Sequence, residues 1–219
     1  MTTHNRSLRL ERPQLLTDLV IKQIRDAIVQ GDFKLGELVS EAQIAQRLGT
    51  SKTPVREALV RLKTEGLVEV HPQQGTEVFT LSDAQVGQLC RFRTMIECTA
   101  LREAVVSQRP RLLKELNLLL AQFVEAENAG DLSALARIDM EFHYQFIACC
   151  ENVYLQSAYE RIRYQLLALR YRSPIGQCVE NHQALFDAIA SGNIEDACNQ
   201  LEEHVGNTEQ RYCDACRVA

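Results

Sequence analysis

The stretch that most constrains this chain is SEAQIAQRLGTSKTPVREALVRLKTEGLVEVHPQQGTEVF, from Ser40 to Phe79. Ser40 with Gln43 three residues later is a capping box, the reciprocal pairing that opens a helix. Ile44, Ala45 and Leu48 then recur at helical spacing up to Gly49, a residue that tolerates the left-handed turn past a helix end. After a short gap, Ser51 or Thr53 caps a second helix, with Pro54 in the first turn, where a missing N–H costs little. Val55, Ala58, Leu59 and Leu62 form its apolar stripe, and Gly66 closes it. Leu67–Val70 and Thr76–Phe79 read as strands on either side of HPQQG, a Pro/Gly turn. Two helices, a tight turn and a hairpin make a helix-turn-helix followed by a wing.

Lys52, Thr53 and Arg56 lie off the apolar stripe at the start of the second helix, the end that such a helix offers to the major groove of DNA. A support helix is expected over Leu15–Gln30, with Leu16, Leu19, Val20, Ile24, Ala27 and Ile28 inward and Gly31 at its end. Leu19, Ile24, Ile44, Leu48, Val55 and Leu59 are the expected core of this part. Residues 32–37 read as a turn into Ser40, and residues 1–12 as a flexible arm carrying Arg6, Arg9 and Arg12. SKTPVREALVRLKTEGLV, with GDFKLGELVSEAQIA upstream, resembles the winged-helix signature of the GntR superfamily of transcription regulators. The resemblance implies a homodimer on a pseudo-palindromic DNA operator. It departs from the family at the wing tip, Gln73-Gln74-Gly75, where basic residues are common, and at Lys52, where arginine is usual. Gln74 and Gly75 are still expected to reach DNA from the wing.

A net charge of −5 is unusual for a DNA binder, but it is unevenly placed. Residues 1–79 hold 11 Lys/Arg against 10 Asp/Glu (+1), and residues 80–219 hold 13 against 19 (−6). DNA binding is therefore expected to depend on a focused, salt-sensitive cationic edge. The chain divides accordingly into a DNA-binding domain at 1–79 and an effector-binding and dimerisation domain at 80–219. The second part reads as six helices: 84–107, 111–128, 132–150, 153–171, 177–191 and 194–213, separated by Pro, Gly and Asn breaks. The fold class is thus mostly α, a winged helix-turn-helix followed by an all-α antiparallel bundle. No apolar run is long enough to span a bilayer and no signal peptide is evident, so a cytoplasmic protein with no membrane partner is expected. The eight cysteines are scattered among apolar neighbours and suit core positions; Cys213-x-x-Cys216 alone is a weak metal or redox motif.

Inside the bundle, polar residues interrupt apolar faces. Asp139 and His143 are i, i+4 on one helix, on the face of Met140, Phe146, Ile147 and Cys150. His182 lies between Leu185, Phe186 and Ile189, and His204 lies between Leu201 and Val205. Three inward imidazoles and one carboxylate suit a divalent metal: zinc first, with nickel and manganese as alternatives. DMEFHYQFIACCENVYL, ENHQALFDAIASGNIEDA and LEEHV are similar to the FCD ligand-binding domain of the FadR branch of the superfamily. That resemblance implies metal ligation by Asp139, His143, His182 and His204. It also implies a small carboxylate effector held by the metal and by Arg93 on the first bundle helix, with Asn152 at a polar pocket position. Two plainer readings stand beside these: Arg93 in a surface pair with Glu97, and Asn152 as a helix cap. A regulator rather than an enzyme is expected, because no further Asp or Glu stands obviously beside the four ligands as a general base. A metal-dependent hydrolase and a direct metal sensor are the alternatives.

Overall fold

The structure, a computed structural model, describes residues 16–72, 74–173 and 178–217. The expected N-terminal arm at residues 1–12, Gln73 of the wing tip, and residues 174–176 of the break expected before residue 177 lie outside the described residues. Helix α1 (Leu16–Gln30) turns Val20, Ile21, Ile24 and Ile28 inward. Leu19, expected in the core, is 45% exposed. Helix α1 packs against two elements on different sides, α3 (Lys52–Thr64) and α7 (Val153–Tyr171), so its buried arc centres on Ile24 and Ile28 instead.

Helix α2 (Glu41–Leu48) opens as the sequence dictates. Ser40 Oγ accepts from the Gln43 N–H and Gln43 Oε1 accepts from the Ser40 N–H, satisfying two donors that a helix start otherwise leaves bare. It closes at Gly49 with φ 63°, whose N–H returns to the last turn of α2. Ser51 precedes α3 as its cap residue, although its side chain makes no capping hydrogen bond. Pro54, Val55, Ala58, Leu59 and Leu62 are buried on one face of α3. The wing is β2 (Val68–His71) and β3 (Gly75–Val78), antiparallel, with His71 opposite Gly75. A strand that the sequence did not suggest, β1 (Leu38–Val39), pairs antiparallel on the other side of β3, so the sheet order is β1-β3-β2. Two residues are too few to show alternation, which is why the segment reads as a turn.

The bundle comprises α4 (Asp83–Ser107), α5 (Arg109–Ala129), α6 (Leu132–Cys149), α7, α8 (Cys178–Ser191) and α9 (Ile194–Arg217). Short connections make successive helices antiparallel, and α6 packs against α4, α5 and α7. Two boundaries differ from the sequence reading by more than one residue. Pro110 sits in the first turn of α5, where it needs no hydrogen bond, so the helix starts at Arg109. Helix α9 continues through Cys216 to Arg217, with Tyr212, Cys213 and Ala215 buried. The thiols of the Cys-x-x-Cys motif are therefore spent on helix packing, and burial pushes both up.

The winged helix meets the bundle along α7. Arg172 donates to the carbonyls of Ile28 (2.6 Å), Val29 (3.1 Å) and Phe33 (3.1 Å), and to Ala168 of its own helix (2.8 Å). One guanidinium thus closes the C-terminal ends of α1 and α7 together, where helices leave carbonyls unsatisfied. Gln165 donates to the Gly66 carbonyl at 2.7 Å, and Arg25, paired with Glu65, stacks 4.4 Å from the Tyr164 ring centroid. Gly66 has φ 74°, and a Cβ there would come within 3.0 Å of the Gln165 amide, so this junction requires glycine on both counts. Arg172→Ala strips four carbonyls of a charged donor and is expected to cost about 2–4 kcal/mol. Calorimetry checks this: the winged helix of the variant melts ahead of the bundle, in a separate transition.

Candidate metal centre and nucleic-acid interface

Asp139 and His143 project from one face of α6, where helical spacing stacks i and i+4. His182 comes from α8 and His204 from α9. Their donor atoms all lie within 4.8 Å of one another. Asp139, His143 and His182 are buried, while His204 is half-buried. His143 Nε2 stands 3.2 Å from His204 Nε2, and His182 Nε2 stands 3.3 Å from Asp139 Oδ1. Phe123, Phe142 and Phe146 pack around the rings, with Phe123 4.5 Å from the His182 centroid. An opening of ≈ 260 Å³ between α8 and α9, lined by Asn181, Asn207 and Arg211 among others, reaches His204 from outside.

The donor chemistry fits a metal ion. His143 Nδ1 lies 2.8 Å from Glu97 Oε2, and an ionised carboxylate only accepts, so the ring proton belongs on Nδ1. Nε2 is then left with a lone pair directed at the cluster. Burial lowers His143 against the opposing pull of Glu97. Burial, then the neighbouring His143 and His182, hold His204 well below the usual range. Both rings are therefore in the neutral, ligating form. With metal–nitrogen bonds of about 2.0–2.1 Å, opposite ligands on one ion are about 4.2 Å apart. The 4.8 Å span closes by about 0.6 Å around a six-coordinate ion and by about 1.4 Å around a tetrahedral one, whose ligands lie about 3.3–3.4 Å apart.

Glu97 corrects the expectation that no further carboxylate stands beside the ligands. It is fully buried on α4, where it accepts from Arg93 Nε (2.8 Å), faces His143, and accepts from the Tyr159 hydroxyl (3.3 Å). Burial alone would raise its carboxyl, but Arg93 and then His143 hold it down at about 2. Arg93 does pair with Glu97 at i, i+4, yet not at the surface: both side chains are fully buried. Arg93 Nη1 reaches the Tyr212 hydroxyl at 3.4 Å, and its Nη2 has no hydrogen-bond partner among the described residues. Asp139 is gripped from the far side by Arg170 of α7 at 2.7 Å. Burial would raise the Asp139 carboxyl, but Arg170 and His182 take it well below the ordinary value. Arg170 was missed in the sequence, although an arginine in line with the buried Ile162, Leu166 and Leu169 is a signal that could have found it.

Asn152 stands apart from this cluster. Its Oδ1 accepts from the Tyr154 and Leu155 N–H groups as the N-cap of α7, and its amide donates to Glu103. Those bonds use the side chain as a cap, the plainer of the two readings.

On the winged helix, Lys52, Thr53 and Arg56 are exposed along the N-terminal half of α3. Arg56 is not free: Nε and Nη2 make a two-pronged pair with Glu41 of α2 at 2.9 and 2.7 Å. Gln74 is exposed at the wing tip. Gly75 has φ 117°, and a Cβ there would come within 3.2 Å of the Val39 carbonyl, so its glycine identity serves the approach of β1 to β3.

Residues 16–78 match the model for bacterial regulatory proteins of the gntR family, and residues 88–207 match that of the FCD domain. The chain belongs to the GntR family, in its FCD-bearing branch. It is 30% identical over 200 residues, 88% of both chains, to a Paenarthrobacter nicotinovorans protein named "Probable D-xylose utilization operon transcriptional repressor". In fold it is similar to a GntR transcriptional regulator from Rhodococcus sp. RHA1, with a TM-score of 0.77 at 22% identity over 91% of this chain and 98% of that one. A structure titled as the metal-free FCD domain of TM0439 covers 64% of this chain and 99% of its own, with a TM-score of 0.54 at 21% identity. This GntR protein is accordingly a DNA-binding transcription regulator rather than an enzyme. No helix among the described residues is long and apolar enough to cross a membrane.

The regulator's buried ion pairs make a prediction independent of any ligand. Asp139→Ala removes the carboxylate that faces the buried Arg170 guanidinium and is expected to lower stability. Urea unfolding of the chelator-treated variant reads that loss as a lower midpoint at unchanged slope.

Proposed function

We propose that this regulator senses a small carboxylate held at a divalent metal ion in the bundle, and that the complex alters operator binding. The observation that carries the reading is the convergence of four donors, three buried and one half-buried, two of them neutral imidazoles, beside the open Nη2 of Arg93. Asp139, His143, His182 and His204 would hold the ion. Zinc suits the three imidazoles and one carboxylate best, with nickel and manganese as alternatives. Bound there, the ion supplies a Lewis-acid anchor for an anionic effector. Charge balance favours this choice of effector: Arg93 and Arg170 already cancel Glu97 and Asp139, so a divalent cation leaves two positive charges to neutralise. Arg93 Nη2, which has no hydrogen-bond partner among the described residues, would donate to the same carboxylate. Asn152, occupied as a cap, is a weaker candidate for effector contact. The description of the TM0439 domain as metal-free is consistent with an FCD fold that also exists in a metal-bound form.

A hydrolytic reading is not favoured by Glu97. Arg93, His143 and Tyr159 all engage that carboxylate and hold its proton affinity far below what a general base needs at neutral pH.

On the DNA side, Lys52, Thr53 and Arg56 would meet the major groove, and Gln74 and Gly75 the adjoining backbone. The cytoplasmic protein would act as a two-fold homodimer on a pseudo-palindrome, residues 1–79 binding DNA and residues 80–219 binding effector and partner copy. Helix α7 is the element placed to couple the two, since Arg170 grips Asp139 and Arg172 grips the end of α1.

Three outcomes are expected. Elemental analysis finds one divalent ion per chain, lost in His143→Ala, which keeps operator binding but no longer responds to a carboxylate. Glu97→Gln leaves the ligands in place but loosens His143, weakening metal affinity about 10–100-fold by competition with a chelator. Arg56→Ala lowers affinity for the operator much more than for unrelated DNA in gel-shift titrations, because an arginine on guanine is worth about 1–3 kcal/mol of discrimination. A His143→Ala protein retaining stoichiometric metal would overturn the ligand assignment. A metal-loaded protein that responds to the ion alone, with no carboxylate dependence, would make it a metal sensor.

A further inference from the structure

Helices α4 and α9 pack closely along much of their length, and at one level of this contact two cysteines face each other. Cys98 Sγ lies 3.7 Å from the Cys198 carbonyl oxygen, and Cys198 Sγ lies 3.9 Å from the Cys98 carbonyl oxygen. Reciprocal contacts of this kind place each sulfur over the other residue's backbone, with the two thiols side by side between the helices. Both residues are buried, 8% and 5% exposed. They lie just beneath the exposed pair of Arg102 on α4 and Glu195 on α9, so a small molecule has only one layer of mobile side chains to pass. The metal, effector and DNA readings use neither residue.

We propose that Cys98 and Cys198 are a reversible redox modification site, at which a hydroperoxide closes a disulfide between α4 and α9. The order of events follows from the environments of the two sulfurs. Cys198 stands in the second turn of α9 near the Arg102 guanidinium, a cation that favours a thiolate. The neighbouring Cys98 draws the Cys198 thiol down to about 7, against the effect of burial, while Cys198 and burial push Cys98 up. Cys198 is therefore the attacking group. Its thiolate takes the terminal peroxide oxygen, the O–O bond breaks, and the alcohol or water leaves with the proton that the thiol released. The Cys98 sulfur then attacks the resulting sulfenic acid, the S–O bond breaks, and hydroxide departs with the Cys98 proton as water. One hydroperoxide is reduced by two electrons, and two thiols are oxidised to one disulfide.

The bond would fix two walls of the candidate metal site against each other. Cys98 directly follows Glu97, which orients His143, and Cys198 lies on the helix that carries His204. Oxidation would thereby hold α4 and α9 at one separation whatever occupies the space between them. This consequence rests on the metal reading; the cross-link itself does not.

The test uses the whole reduced protein, titrated with hydrogen peroxide under native conditions, alkylated with N-ethylmaleimide and mapped by peptide mass spectrometry without reductant. The expected result is a Cys98–Cys198 cross-linked peptide that forms at lower peroxide than any other cysteine modification and is reversed by dithiothreitol. In Cys98→Ser, which lacks the resolving thiol, Cys198 should instead accumulate as a sulfenic acid captured by dimedone. Full alkylation of Cys98 and Cys198 in wild-type protein whose other thiols have been oxidised would overturn the proposal. So would a dimedone adduct at some other cysteine in place of Cys198.

Discussion

The structure depends on a buried charge network that no single helix can satisfy. Arg93 and Glu97 on α4 are fully buried, as is His143 on α6, while Asp139 on α6 and Arg170 on α7 are each 2% exposed. Taking such charges from water costs several kcal/mol per ion even after relaxation, and only close, hydrogen-bonded partners offset that. Here each charge has one: Arg93 with Glu97, Asp139 with Arg170. The tyrosines of α7 and α9, Tyr159 and Tyr212, take up remaining polar valences. The Asp139–Arg170 pair thus ties α6 to α7, and the bonds of Glu97 and Arg93 to His143, Tyr159 and Tyr212 tie α4 to α6, α7 and α9. The outcome is an interior with nearly cancelled charge and imidazole lone pairs facing one another, a setting that accepts a divalent cation and then an anion.

The same network reaches the DNA-binding end through two neighbouring positions of α7. Arg170 turns toward Asp139, and two residues later Arg172 turns the other way to close the ends of α1 and α7. A change in the position of Asp139 has a short route to the support helix of the winged helix, through side chains already in contact. Arg56 shows that the exposed start of α3 is also organised: its two-pronged pair with Glu41 fixes the guanidinium in one plane. That pair is exposed, so it orients more than it stabilises.

Much of this was legible in the sequence where the determinant is local. The capping box at Ser40 and Gln43, glycine at 49 and proline at 54 each act within one turn of chain, and the helix-turn-helix follows from them. The four candidate ligands were also visible, because each polar residue interrupts an apolar helical face, an anomaly that does not require knowledge of its partner. What could not be read was pairing across long separations. Glu97 looks like half of a surface pair with Arg93 until α6 brings His143 to it. Arg170 has its partner on a different helix, and Arg172 spans from the bundle to α1. Leu19 misled for a related reason: helical period gives the apolar arc of α1, but its two packing neighbours set the arc's centre. Asn152 was open between cap and pocket, and its side-chain oxygen caps α7 at the backbone N–H groups of Tyr154 and Leu155.

The central claim is that effector binding in this regulator runs through a metal ion at Asp139, His143, His182 and His204. Its most direct test is operator-binding anisotropy of one preparation, measured with metal restored and after chelation, across a series of small carboxylates. The predicted result is that at least one carboxylate shifts operator affinity in the metal-loaded protein and that chelation removes the shift while leaving basal DNA binding intact. The same carboxylate response in the chelated protein as in the loaded one would contradict the claim.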